Sequence, residues 1–204
     1  MRSVISATEL KQYILAMMRG DGFTDMNHSS GKARLDIYHC EAQREYLEWK
    51  AFVLSQVTGI TCRITQKIDK RPLKGGGTRK GWRLQTNFSR YLFNLKQTPD
   101  KYKFKQLVKP CALAVLWQDD GTLIIRKRDS SYSSAVLCSD AWPREHISMF
   151  SRYFNDAYGW CMLPMEASCR GTVYPRLRMR KKQMEKFSEI VKSYTHKCMM
   201  YKLL

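Results

Sequence analysis

The sequence predicts an α+β fold in which one αββαββα unit is used twice. Three observations point to it. Two apolar, helix-like segments, 8–21 and 108–120, each run into a glycine beside an aspartate. Each is followed by runs in which apolar and polar residues alternate with period 2, the mark of half-buried strands. The order of elements across residues 1–100 then recurs across residues 101–204. A period of about 100 residues is too long for a solenoid and suits two pseudosymmetric halves related by an approximate twofold axis.

In the first half, TELKQYILAMMRGD reads as a helix with an acid near its start, ending at Gly20-Asp21-Gly22. Strands are expected at about 23–29 and 33–40. The charged amphipathic segment EAQREYLEWKAFVLSQV (41–57) predicts a helix stopped at Gly59. Strands at about 60–69 and 81–88 follow, joined by the loop PLKGGGTRKG, and a helix from about 89 closes the unit. In the second half the helix VKPCALAVLWQDD ends at Gly121. Strands follow at about 122–128 and 134–139, then a helix over PREHISMFSRYFNDAYG. Strands at about 161–168 and 172–180 lead to a single closing helix over QMEKFSEIVKSYTHKCMMYKL.

The chain of 204 residues, 44% hydrophobic, can bury a real core as one large domain or two small ones. Its 36 Lys and Arg against 18 acids leave a net charge of +18. Such an excess repels itself in a folded protein and points to a polyanionic partner, nucleic acid first and an anionic membrane surface second. No apolar run approaches the ~18 residues a membrane span needs, and the N-terminal stretch lacks a signal-cleavage pattern. Seven cysteines, at 40, 62, 111, 138, 161, 169 and 198, form no C-x-x-C pair and no zinc-like spacing with His. They read as buried free thiols of an intracellular, reducing compartment, bacterial or phage-infected cytoplasm or an organelle matrix.

The expected wet faces of the strands carry a specific chemistry. Arg34, Asp36 and Tyr38 alternate with Leu35, Ile37 and His39. Arg63, Thr65 and Lys67 alternate with Cys62, Ile64 and Ile68, and Arg83, Gln85 and Asn87 with Trp82, Leu84 and Phe88. Tyr174, Arg176, Arg178 and Arg180 alternate with Val173, Leu177 and Met179, while Arg126 and Arg128 fall in the strand expected at 122–128. A generic solvated face carries more Glu and Lys. Arg, Gln, Asn, Thr and Tyr are the side chains that reach base edges, and strands can enter a major groove.

The two helix ends carry the expected reaction chemistry. Either aspartate-glycine end alone reads as a helix cap. Two copies, at 21 and 120, in the same place of a repeated unit read as a functional pair. Each carboxylate sits at the negative end of a helix dipole, which disfavours it unless a cation is bound. Two aspartates and nearby carbonyls suffice for Mg²⁺, with Mn²⁺ or Ca²⁺ able to replace it in binding. Paired metal ions suit phosphodiester hydrolysis.

The segment Leu113-Ala114-Val115-Leu116-Trp117-Gln118-Asp119-Asp120-Gly121 resembles the nine-residue motif of the LAGLIDADG homing endonucleases. Ile14-Leu15-Ala16-Met17-Met18-Arg19-Gly20-Asp21-Gly22 resembles a second, more divergent copy, so the resemblance spans nearly the whole chain. It implies a two-motif, pseudosymmetric monomer whose motif helices pack together at the interface of the halves. Asp21 and Asp120 would bind metal, and Gly20 and Asp119 would offer backbone carbonyls. Each half would lay a four-stranded saddle on one half-site of a long double-stranded DNA target. Both strands would be cut across one minor groove, leaving 3′ four-base overhangs. EAQREYLEWKAFVL and Met199-Met200-Tyr201-Lys202-Leu203 resemble the second helix and the C-terminal signature of one subgroup. There a lysine near the end of each half reaches the active site, which implies Lys202 and, in the first half, Lys96, with Lys101, Lys103 and Lys105 as close rivals. Arg19 and Gln118 stand where the motif often has Asp, and Ala16 and Val115 replace a packing Gly. The alternatives within the same fold are an intron maturase, whose partner is intron RNA, and a non-cleaving DNA-binding protein. Such relatives often lose an acid, and this chain keeps both.

Overall fold

The computed structural model describes residues 5–69, 79–125, 132–169 and 171–204. The chain divides into two compact units, Met1–Thr98 with His196–Met199, and Pro99–Thr195 with Met200–Leu204.

In the first unit, α1 (Ala7–Arg19) begins at a capping box in which the Ser6 hydroxyl accepts from the Glu9 amide while the Glu9 carboxylate accepts from the Ser6 amide. Its residues Tyr13–Met18 are all buried. β1 (Gly22–Asn27) and β2 (Lys32–Cys40) form a hairpin. β1 stops two residues short of the expected end, because the Asn27 side chain accepts from the Ser30 amide and the Ser29 hydroxyl and turns the chain. A 3-10 turn at Glu41–Gln43 leads into α2 (Arg44–Ser55), then β3 (Cys62–Asp69), β4 (Arg79–Thr86) and α3 (Arg90–Gln97). The sheet runs β1-β2-β4-β3, antiparallel throughout. Ala33, Leu35, Ile37 and Leu84 bury its inner face, and α2, which contributes Tyr46, Leu47, Val53 and Leu54 to the core, packs on the sheet.

The second unit opens with α4 (Asp100–Leu107) and continues with α5 (Pro110–Asp120), β5 (Gly121–Ile125), β6 (Tyr132–Cys138), α6 (Arg144–Tyr158), β7 (Leu163–Cys169), β8 (Thr172–Arg180) and α7 (Lys181–Val191). The second sheet repeats the order, β5-β6-β8-β7. Its core is aromatic: Phe104 and Phe150 meet Trp142 at 5.6 and 5.4 Å, and Trp117 meets Phe187 at 5.3 Å between ring centroids. The expected duplication is therefore present, down to strand order.

Three expectations need correction. The helix expected from about 89 is present as α3, but an unexpected helix, α4, follows it: Pro99 holds Thr98 extended (ψ 137°), which ends α3 at Gln97 and lets a new helix start. The expected closing helix ends at Val191 and gives way to 3-10 turns at Lys192–Tyr194 and Lys197–Lys202. The Thr195 hydroxyl takes the Val191 carbonyl that its own amide would bond in a continuing helix, and that amide turns to Lys192 instead. Of the six cysteines with described side chains, all free, only Cys111 is buried; Cys40 is exposed and the other four are half-buried, so the thiols are not the core residues expected. β5 is described to Ile125, and Arg126 and Arg128 lie outside the described residues. No described helix is long and apolar enough to cross a membrane.

Candidate metal and nucleic-acid site

Each motif helix ends at a tight corner. The Gly20 amide closes α1 on the Ala16 carbonyl at 2.8 Å, and the Gly121 amide closes α5 on the Trp117 carbonyl. Neither glycine has positive φ (−83° and −78°), so these are not left-handed caps. The glycines that follow the acids are required for space. A β-carbon on Gly22 would run into the Met17 carbonyl and the Leu35 side chain, and one on Gly121 into the Trp117 ring and carbonyl. β1 and β5 thus start pressed against the last helical turn, which fixes Asp21 and Asp120 at the corner between helix and sheet.

In the second unit the C-terminal turn reaches this corner. The Trp117 indole donates to the Lys202 carbonyl at 2.9 Å, and the Lys202 ammonium donates to the Gln118 carbonyl at 2.6 Å and the Asp119 carbonyl at 3.2 Å. A cation therefore sits on the negative end of α5, next to Asp120 in sequence. Gln118 is fully buried and folds back to donate to Ala114. Burial pushes the Cys138 thiol up; Arg176 and Lys202 oppose that shift, and Asp140 and Asp120 add to it, which places these four charges within electrostatic reach of one atom.

The first unit is built differently. Two residues past the β2 residue that pairs with Gly22, His39 is 3% exposed, with Nδ1 3.1 Å from Gln43 Oε1 and 3.6 Å from Asp21 Oδ2. Its Nε2 lies 3.0 Å from Nζ of Lys50, a lysine with no exposed surface whose ammonium also lies 4.5 Å over the Tyr46 ring. Burying an ammonium costs several kcal/mol unless it is paired and hydrogen-bonded. At the corresponding places the second unit has Ser139 and Phe150. Sequence reading passed over both His39 and Lys50. The available signal was that Lys50 falls in the apolar stripe Tyr46, Leu47, Val53, Leu54 of α2. Lys96 stands on the exposed side of the last turn of α3.

The outer face of the first sheet gathers most of the expected contact residues. Register sets Phe23, Asp36, Gln85 and Arg63 in one cross-strand row and Tyr38, Arg83 and Thr65 in the next. Asp36 is the hub, accepting from Arg83 Nε at 2.7 Å and from Gln85 Nε2 at 3.1 and 3.2 Å. Burial works to raise its pKa, but the hydrogen bonds from Arg83 and Gln85 and the charges of Arg83 and Arg34 hold it below the usual carboxylate value. Arg34 pairs with Asp25 at 2.9 Å and lies over the Phe88 ring. Lys67 is exposed further along β3. Asn87 departs from expectation: it lies past the end of β4, and its amide is used internally, accepting from the Thr61 amide and donating to the Gly59 carbonyl.

The second sheet presents a different outer face. Tyr174, Arg176, Arg178 and Arg180 form a column on β8, and Arg176 makes a bidentate pair with Asp140 at 2.8 and 2.9 Å. The residues paired with this column are apolar or small: Leu163, Met165 and Ala167 on β7, and Ser134, Val136 and Cys138 on β6. Only strand register reveals these neighbours, because the arginine column is on one strand and its flanks are on two others.

The sequence pattern of the LAGLIDADG DNA endonuclease family matches residues 11–187. Among curated proteins, Protein RecA of Mycobacterium shimoidei is 26% identical over 204 residues, 95% of this chain and 46% of that protein. Protein RecA of Mycolicibacterium fallax is 24% identical over 213 residues, 100% of this chain and 48% of that protein. The chain spans about half the length of the curated relatives it matches. Among solved structures, the homing endonuclease I-WcaI bound to its DNA recognition sequence aligns at TM-score 0.75 and 19% identity, over 99% of this chain and 88% of that one. I-DmoI in complex with DNA and Mn aligns at TM-score 0.56 and 13% identity, over 94% and 99%. I-DmoI in complex with DNA and Ca aligns at 0.55 and 13%, over 90% and 89%. These likenesses establish the duplicated homing-endonuclease fold.

Proposed function

The chain belongs to the LAGLIDADG DNA endonuclease family, and on that premise we propose that it cuts both strands of a long, specific DNA site with divalent metal held at Asp21 and Asp120. The observation that carries the proposal is the retention of an acid at the same helix-to-strand corner of both units. In each unit the donors suit a hard cation: the Asp21 carboxylate with the Gly20 carbonyl in the first, the Asp120 carboxylate with the Asp119 carbonyl in the second. The Asp119 carbonyl already accepts from Lys202, so a metal there would rely on that oxygen's second lone pair and on the Asp120 carboxylate. Solved complexes of I-DmoI with DNA and Mn or Ca support a divalent ion; Mg²⁺ is the natural choice on donor chemistry. When bound, such ions activate water and stabilise charge on the leaving oxygen.

The protein's own residues do the rest. Lys202 is held at both ends by α5 and offers its ammonium to developing phosphate charge. In the first unit Lys96 is the lysine implied by family resemblance, whereas Lys50 is the one joined to Asp21 through His39. The outer sheet faces read bases, each unit covering one half-site, and the two cuts leave 3′ four-base overhangs. Single alanine changes at Arg63, Arg83, Arg176 and Arg178 are expected to relax preference at particular base pairs by roughly 1–3 kcal/mol each. Uniform weakening on all sequences, in binding assays on single-base variant sites, would instead mark them as phosphate contacts. The apolar flanks Leu163 and Met165 beside the arginine column suit thymine methyls next to guanine, so positions relaxed by Arg176→Ala should lie in a stretch enriched in T and G.

Incubation with Mg²⁺ and a randomised double-stranded library, followed by sequencing of cut ends, tests the reading. Cutting at one long consensus with four-base 3′ overhangs supports it. Selective binding without cutting would replace it with a non-cleaving DNA-binding protein.

A further inference from the structure

We propose that Lys50 is a positioning residue for the first unit's acid, acting through His39, so that the two units run their sites with different support. The inference rests on the cleavage reading above. An ammonium has donors only, so the Lys50 Nζ at 3.0 Å requires His39 Nε2 to accept. The proton of the neutral imidazole then resides on Nδ1, and Nδ1 faces two acceptors, Gln43 Oε1 at 3.1 Å and Asp21 Oδ2 at 3.6 Å. Donor and acceptor roles agree at these three contacts. The ring is 3% exposed and stacks at 5.2 Å on Tyr46, which also lies under Lys50, so its plane is fixed as well as its tautomer.

Carboxylates that ligate metals are steadied by the groups behind them, and His39, fixed by its hydrogen bond to Gln43, places Nδ1 3.6 Å from Asp21 Oδ2. Here the ring backs the Asp21 carboxylate at Oδ2. The second unit has no such device: Ser139, at the place of His39, donates to the Pro175 carbonyl, and Phe150 stands where α2 has Lys50. There Lys202 supplies the cation directly to the helix-end carbonyls. A lysine in place of a core phenylalanine is costly to bury, and its contact with His39 accounts for its presence.

The test uses the full chain in two ways. Without metal, imidazole nitrogen NMR of ¹⁵N-labelled protein should show His39 with its proton on Nδ1, and Lys50→Met should shift it toward the Nε2–H form. A proton on Nε2 in the unmodified protein, or a tautomer indifferent to Lys50→Met, overturns the proposal. With Mg²⁺ and an end-labelled target, Lys50→Met and His39→Gln should slow cutting of one and the same strand by roughly 10- to 100-fold, so that a singly nicked product accumulates. Equal slowing of both strands marks a general structural role and overturns it. If the unmodified chain cuts no DNA, the cleavage reading fails, and the metal-free tautomer decides the Lys50–His39 assignment by itself.

Discussion

Asp120→Asn is expected to reduce double-strand cleavage by at least about 10³-fold, about 4 kcal/mol in the barrier, while target binding changes little. Asp21→Asn should do the same. The substitution keeps size and shape at the corner where α5 meets β5 and removes only the charge that holds a cation. Binding should survive because it draws on the +18 net charge and on the arginine-bearing sheet faces, which the change leaves intact. The folded state should be about as stable as before, because the helix dipole disfavours the removed charge while the nearby Lys202 ammonium favours it. Loss of cutting with retained binding and an undiminished Tm separates a metal-binding role from a structural one. Loss of binding or of folding would place Asp120 in the architecture instead.

Gly121→Ala is expected to cost about 3 kcal/mol of stability, roughly 6–12 °C in Tm by thermal melts. The added methyl meets the backbone carbonyl of Trp117 as well as its ring. Trp117 is fully buried, packs on Phe187 and donates to the Lys202 carbonyl, so it cannot retreat without dislodging the lysine beside Asp120. Cleavage should therefore fall further than stability alone explains. Gly159→Ala is the control. That glycine caps α6 at φ 70° with open space around it, so only backbone strain is incurred, about 1 kcal/mol. Similar costs at both positions would show that the helix-to-strand corner is looser than its geometry.

The architecture was legible where periodicity is strong. Alternation in β2, β4 and β8, and the apolar run of α5, mark strands and helix unaided, and their recurrence exposes the duplication. The acids were legible because glycine and aspartate recur at matched places. What stayed hidden depended on pairings between distant segments. His39 reads as one more inward residue of β2 until α2 brings Lys50 to its far nitrogen. Asn87 continues the β4 pattern by eye but serves the Gly59–Thr61 turn. The apolar flanks of the β8 arginines emerge only from register. The break at Thr195 comes from one hydroxyl outcompeting a backbone amide, which propensity along an amphipathic helix does not reveal.

The central claim, that one acid from each copy of the duplicated unit drives DNA cleavage, is tested most directly by the double variant Asp21→Asn/Asp120→Asn. It should be compared with the unmodified chain on the target selected from the random library, with Mg²⁺ present. The account predicts that the unmodified chain cuts both strands and that the double variant binds the site but cuts neither. Full cutting by the double variant would contradict it.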